Sequence, residues 1–292
     1  MGRFGIISLG HGAFFGIGVY TTAILFNLYN ISPWLGMLAG GLAAAAIAVV
    51  LGYSCFKFGV IGHYFAIATL VLAEIITLVI IALRDTLETG GKLGLTVRSL
   101  GTSPLFFQFE NQLIFYYITL ALLGLALLIW KKIDDSKVQR ALKAVGEDEE
   151  AALSLGIDVV KYKTTMFAIS AFMTALGGTA YIQFTMFADP TTCTGVGLSL
   201  GIVFKAIIGG MFTLWGPTIG SALIVVLEEY TRLALGSAFV SYSQIIYGLL
   251  IIILIRFLPG GLHGTLSDLF RQKREREVQV LLSGRQLADP HE

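Results

Sequence analysis

The sequence predicts an all-α integral membrane protein, and three observations carry that reading. Of 292 residues, 55% are hydrophobic and only 13% are charged, where soluble domains carry about 25%. The mean hydropathy is +0.79. The apolar residues fall in continuous runs of about 17–25, the length that crosses a bilayer as a helix. A closed barrel would need alternation instead.

Eight such runs set the expected elements, near residues 4–27, 35–56, 60–83, 112–130, 164–187, 197–214, 216–234 and 241–258. The first is too long and too glycine-rich for a signal peptide. In the stretch 197–234, Gly209, Gly210, Gly216 and Pro217 mark either a tight turn between two helices or a break within a re-entrant one. The 34 glycines suit helices that pack closely in lipid. We divide the chain into a membrane domain, 1–260, and a basic tail, 261–292.

Orientation follows from the placement of Lys and Arg. Segment 131–163 holds Lys131, Lys132, Lys137, Arg140, Lys143, Lys161 and Lys163. The tail adds Arg271, Lys273, Arg274, Arg276 and Arg285, whereas 188–196 has none. This predicts that 131–163 and both termini face the cytoplasm, and that 28–34, 84–111, 188–196 and 235–240 face outside. Cys55 then lies near the inner face and Cys193 outside, so no disulfide joins them. Net charge is +1, which gives no nucleic-acid footprint. The tail segment 266–282 reads as a juxtamembrane stretch facing anionic lipid.

The polar segment 131–163 is the anomaly of the chain, with seven basic and seven acidic residues between long apolar runs. Val138, Leu142 and Val145 follow helical spacing and make one apolar face. Gly146 is expected to interrupt that helix. Glu147, Asp148, Glu149 and Glu150 are expected in the first turn of a second helix, where carboxylates suit the dipole. Ala151, Ala152, Leu153 and Leu155 continue it, and Gly156–Ile157 reads as a left-handed cap. A solvated loop is the plain alternative, but a short helix pair with an apolar face needs a surface to lie on.

Catalytic patterns are absent from the sequence. There is no G-x-x-x-x-G-K-[ST] loop, so nucleotide is not bound by that route. There is no H-E-x-x-H or Ser/His/Asp pattern, and His11, His63, His263 and His291 are dispersed. No cofactor or metal is expected, and the chain is read as a non-enzyme. Ionisable residues inside spans are functional candidates, because charge at the bilayer centre costs at least about 2.5–3.5 kcal/mol. Glu74 lies about 20 Å into its helix and Lys205 about 12 Å into its own. These depths allow the two to pair or to line a common path; equally, Lys205 snorkels and Glu74 bonds a neighbouring helix. His11, between Gly10 and Gly12, reads as bonded across closely packed helices, with a substrate contact as the lesser reading. Glu228, Glu229 and Arg232 are candidates for receiving a charged partner, or simply a solvated helix end.

The run RALKAVGEDEEAALSLGIDVVKYKTTMFAISAF resembles the cytoplasmic coupling segment of the branched-chain amino-acid permease family of ABC importers. Arg140, Ala141, Ala144, Glu147, Asp148, Glu149, Ala151, Ala152, Gly156, Ile157, Tyr162 and Lys163 match its pattern. Further agreement comes from ISLGHGAFFGIGVYTTAIL (7–25), from YFAIATLVLAEI (64–75) followed by TGGKLGL (89–95), and from IIGGMFTLWGPTIGSALI (207–224). Among the two permeases such systems use, the chain is more similar to the second, larger subunit. Members carry apolar sequence upstream of the S-L-G-H motif, whereas Ser8 lies seven residues after Met1. Gly146 stands where Arg is usual and Lys205 where an apolar residue is common.

The resemblance implies an inner-membrane permease with a fold similar to the cobalamin importer. It implies a second permease subunit, two ATP-binding subunits and an extracytoplasmic binding protein as partners. Cargo would be branched-chain or related amino acids, with urea and short amides as the alternative. The helices of 137–156 would act as a lever, gripped by the ATPase at Arg140, Ala141, Ala144, Glu147, Asp148, Ala151 and Gly156. A stand-alone secondary transporter or channel would need internal repeats, of which only a weak S-L-G echo is found, and would leave the polar segment unexplained.

Overall fold

The computed structural model describes residues 7–83, 91–101, 103–210, 213–235 and 248–249. It comprises two units, Met1–Val203 and Phe204–Glu292.

The first unit is built around three helices. α1 (His11–Tyr29) packs against α2 (Pro33–Lys57) and, across the core, against α7 (Val159–Thr185), with α3 (Gly62–Ala82) and the short α8 (Pro190–Thr194) beside it. α4 (Gln112–Asp134) borders α7. Between α4 and α7 lie two short helices, α5 (Lys137–Glu147) and α6 (Glu149–Ser154). α9 (Val196–Gly209) begins in this unit.

Small residues set the spacing of the central trio. A Cβ on Gly18 of α1 would overlap the Ala175 carbonyl of α7, and one on Gly178 of α7 would overlap the Phe15 carbonyl. The backbones therefore touch at the crossing, as small residues permit in lipid. Thr22 and Thr179, both fully buried, bond across it at 2.8 Å. Phe14, Phe56, Phe65 and Phe167 fill the space beside the crossing together with Ala44, Ala48 and Ala171.

At one end of the bundle Leu95–Thr96 (β1) pairs antiparallel with Phe187–Ala188 (β2), Leu95 opposite Ala188. Arg98 sits at the C-terminus of α1, donating from Nη2 to the Asn27 carbonyl and, at 2.8 Å, to Asn30 Oδ1. A cation suits the negative end of a helix dipole. Segments expected on one face of the membrane thus meet.

In the second unit, α10 (Gly216–Leu235) runs back along the end of α9. Two separate helices flank the glycine-rich stretch, as the tight-turn reading expects. Gly210 has φ +111, and the Gly216 amide donates to Thr213 Oγ1 at 3.0 Å. A Cβ on Gly209 would overlap the Gly216 carbonyl, and one on Gly220 the Lys205 carbonyl.

Six helices among the described residues are long and apolar enough to cross a membrane: His11–Tyr29, Pro33–Lys57, Gly62–Ala82, Gln112–Asp134, Val159–Thr185 and Pro190–Gly209. The all-α membrane architecture is thus supported, with six spans rather than eight among the described residues. The run 216–234 forms a helix but carries Glu228, Glu229 and Arg232 in its second half, and it is not among the six. The run 241–258 lies outside the described residues apart from 248–249, and so does the tail 261–292. Among the described residues the first helix starts at His11, and residues 7–10 of the run expected from residue 4 are not helical. The Leu9 amide bonds Thr69 Oγ1 of α3 at 2.9 Å, and a Cβ on Gly10 would press on the Thr69 carbonyl, so the S-L-G segment is held out of the helix. Cys55 and Cys193 are free thiols.

Candidate functional site

The polar segment folds as two capped helices. Ser136 caps α5, its Oγ accepting the Val138 amide at 3.2 Å. Leu142 and Val145 are buried as the spacing predicts, and Val138 packs with Trp130, Ile133, Tyr162 and Met166 around Leu142. Gln139, on the same face, is buried too.

The break between the helices is not where the sequence placed it. α5 continues through Gly146 to Glu147, because an exposed glycine costs a helix only about 1 kcal/mol and does not stop it. Asp148 makes the break. Its backbone is extended, and its Oδ1 accepts the Glu150 and Ala151 amides at 2.9 and 3.0 Å. Of the four expected first-turn acids, Glu147 ends α5, Asp148 is the N-cap of α6, and only Glu149 and Glu150 occupy the first turn. Leu155 ends the helix instead of continuing it.

The expected cap at Gly156 is present. Its φ is +79, its amide bonds the Leu153 carbonyl at 2.9 Å, and the Ile157 amide bonds the Ala152 carbonyl at 3.1 Å. This is the Schellman pattern, and Ile157 and Ala152 supply its hydrophobic contact in a cluster with Ala144, Val145 and Val159.

Lys163 fastens the pair to the bundle. It lies in the first turns of α7, 5% exposed, with Nζ 2.6 Å from Glu149 Oε2. The same ammonium is 5.8 Å from the centroid of the Phe56 ring at the end of α2, within cation–π range. Phe56 stacks on Phe65 of α3 at 4.7 Å, Phe65 meets Phe167 of α7 edge-on at 5.2 Å, and Phe167 meets Phe14 of α1 at 5.3 Å. The first turn of α6 is thereby bonded to the start of α7 and linked through Lys163 to the end of α2. From sequence, Glu149 is expected as a first-turn acid and Lys163 as one of the basic residues that set orientation, but nothing pairs them, because they lie fourteen residues apart on two different helices.

The remaining surface of the pair is open. Arg140, Glu147, Asp148, Ala151 and Gly156 are exposed, whereas Ala141 and Ala144 are half-buried. Leu153 and Leu155 are 55% and 79% exposed, a pair of apolar knobs that sequence reasoning had placed as ordinary helix positions.

His11 bridges two helices. Its Nδ1 faces the Ser8 carbonyl at 3.3 Å, and its Nε2 lies 3.0 Å from Ser170 Oγ of α7. A carbonyl only accepts, so in the neutral ring Nδ1 donates to Ser8 and Nε2 accepts the hydrogen bond of the Ser170 hydroxyl. Glu74 is exposed on α3. Lys205 is bonded inside its own unit, to Glu228 at 3.5 Å, and Glu229 pairs with Arg232 one turn on at 3.0 Å. Of the three docking candidates, Glu228 is therefore engaged by Lys205. A cavity of about 830 Å³ between α4 and α7 is lined by Phe115, Tyr116, Met173 and Tyr181 among others, and by none of His11, Glu74 and Lys205.

Six helices of spanning length among the described residues, with a capped, charged helix pair packed against α4 and α7, define a multi-pass membrane protein. The chain belongs to the family described as branched-chain amino acid transport system / permease component, whose model matches residues 1–255. It is 31% identical over 284 residues to the high-affinity branched-chain amino acid transport system permease protein LivM of Escherichia coli (strain K12), covering 90% of this chain and 64% of that protein. It is 27% identical over 281 residues to the LivH permease protein of Salmonella typhimurium, covering 90% and 87%. It is 27% identical over 234 residues to the guanosine ABC transporter permease protein NupQ of Bacillus subtilis, covering 76% and 71%. The chain thus spans just under two thirds of the LivM protein. No solved structure matches it.

Proposed function

We propose that this chain is a permease subunit of an ABC importer for branched-chain or related amino acids, with 131–163 and both termini in the cytoplasm of an inner-membrane assembly. Separate ATP-binding subunits would drive it, a second permease subunit would complete the path, and an extracytoplasmic protein would deliver cargo. The observation that carries the reading is the docked helix pair. It is capped at three of its ends, packed underneath, open on top, and held to α2 and α7 through Lys163. A docked, charged platform of this kind suits a partner that pushes on the bundle, and it is superfluous in a channel. The LivM and LivH likenesses favour amino-acid cargo. The guanosine permease relative marks a wider range within the family, so urea or short amides remain the second reading of the cargo.

In the mechanism, ATP-driven closure of the partner moves α5 and α6. Lys163 passes that movement to the ends of α2 and α7, whose tilt alternates access of the path. Cargo crosses without tight binding to this chain, and energy comes from ATP hydrolysed elsewhere. Co-expression with the neighbouring genes tests the reading. The expected result is co-purification of an ATP-binding subunit, with ATP-dependent uptake of labelled leucine into proteoliposomes. Uptake without any ATPase would support a stand-alone transporter instead.

A further inference from the structure

α3 has two contrasting faces. Phe65, Ala66, Thr69, Ala73, Thr77 and Ile80 are buried, with Thr77 Oγ1 2.6 Å from Thr194 Oγ1 of α8. The other face carries Ile67, Val71, Ile75 and Leu78, 58%, 47%, 48% and 57% exposed. Glu74 stands among them, exposed as well. It lies near the middle of the span, about 18 Å from Gly62 and about 12 Å from Ala82 at 1.5 Å per residue. Among the described residues it makes no ion pair, unlike Glu149, Glu228 and Glu229, which pair with Lys163, Lys205 and Arg232.

α4 supplies the comparison. It too exposes most of its length, through Leu113, Tyr116, Tyr117, Leu120 and Leu128. Its sequence from Gln112 to Trp130 contains no Asp, Glu, Lys or Arg, so that face can meet hydrocarbon at no electrostatic cost. The α3 face cannot. A carboxylate at mid-membrane is costly in lipid, and such groups face protein or a water-lined cavity and find a partner there.

We propose that the α3 face formed by Ile67, Val71, Glu74, Ile75 and Leu78 is where a second permease chain of this family docks, bringing a cation or hydrogen-bond donor to Glu74 at mid-membrane. The chain's likeness to both LivM and LivH, two differently named permease proteins, supplies the class of partner. Glu74 supplies the place, since it leaves this face in need of a polar cover while its flanks offer apolar packing. The inference rests on the importer reading above and names the surface that reading leaves open.

The test uses the co-expressed transporter. A photo-crosslinking residue replaces Val71 or Leu78 on α3, or Leu120 on α4. The expected result is an adduct with the second permease chain from Val71 and Leu78 and none from Leu120. Glu74→Lys should cut the co-purified second permease about ten-fold or more by like-charge contact or lost pairing, while Glu74→Gln keeps most of it and both variants insert at wild-type levels. Adducts at Val71 and Leu78 with lipid only, or with a second copy of this chain, overturn the proposal, as does a Glu74→Lys chain that retains its partner. If the complex with its ATPase is intact in those cases, the surface assignment alone falls. If no second permease or ATPase co-purifies at all, the importer reading falls with it.

Discussion

Lys163 at the foot of α7 and Glu149 at the head of α6 are joined at 2.6 Å, and this bond holds the charged helix pair against the membrane bundle. The lysine is buried and the glutamate side chain is 34% exposed. Removing one partner of a fully buried pair costs about 3–5 kcal/mol. Water reaches Glu149, so Lys163→Met should cost less, about 1–3 kcal/mol of thermal stability in detergent. Its sharper effect falls on coupling: ATP hydrolysis by the assembled transporter persists while uptake drops. Lys163→Arg should restore most of the uptake, and a variant that loses both activities in parallel would mark the bond as structural only.

Gly156 is a conformational requirement rather than a steric one. Its φ is +79, and no atom lies within 4 Å of where a Cβ would stand. Gly156→Val should therefore cost about 1–2 kcal/mol through its backbone alone, and abolish transport while membrane insertion is unchanged. Gly156→Asn, which tolerates the left-handed region, should keep activity. Equal loss in both variants, read by uptake per inserted chain, would point to a contact that needs the bare backbone.

At Gly18 the constraint is steric. Gly18→Val would drive a side chain into the Ala175 carbonyl, and overpacking of this kind costs about 1–3 kcal/mol or more. The expected outcome is a lower melting temperature by fluorescence-detected chromatography. Gly124→Val, at a position with open space around it, should be silent in the same assay.

Lys205 bonds Glu228 at 3.5 Å, a partner that the sequence did not suggest for it beside Glu74. Lys205→Glu should impair transport, and adding Glu228→Lys should rescue it in part. Adding Glu74→Lys instead should not. Uptake by the single and double variants decides between the two partners.

Much of this fold was legible because apolar runs and lipid thickness are the same length. The ends of α2, α3 and α4 fall within a few residues of expectation at all but one end, and α4 runs four residues past its expected last residue. The buried face through Leu142 and Val145 and the cap at Gly156 also follow from local spacing. What stayed hidden is non-local. The start of α1 depends on Thr69, sixty residues away in sequence from Leu9. The Lys163–Glu149 bond and the Phe56 ring beneath it depend on how three helix ends converge. Gly146 drew attention as a breaker, but an extended backbone with a capping carboxylate at Asp148 ends a helix more decisively than one exposed glycine.

The central claim is that the α5–α6 platform is where an ATP-binding subunit grips this chain. Photo-crosslinking from Leu153 or Leu155 in the assembled transporter tests it most directly, with Leu93, 77% exposed in the segment that carries β1, as the comparison site. The account predicts an adduct with the ATP-binding subunit from both platform positions and none from Leu93. Adducts from Leu93 and none from Leu153 or Leu155 would contradict it.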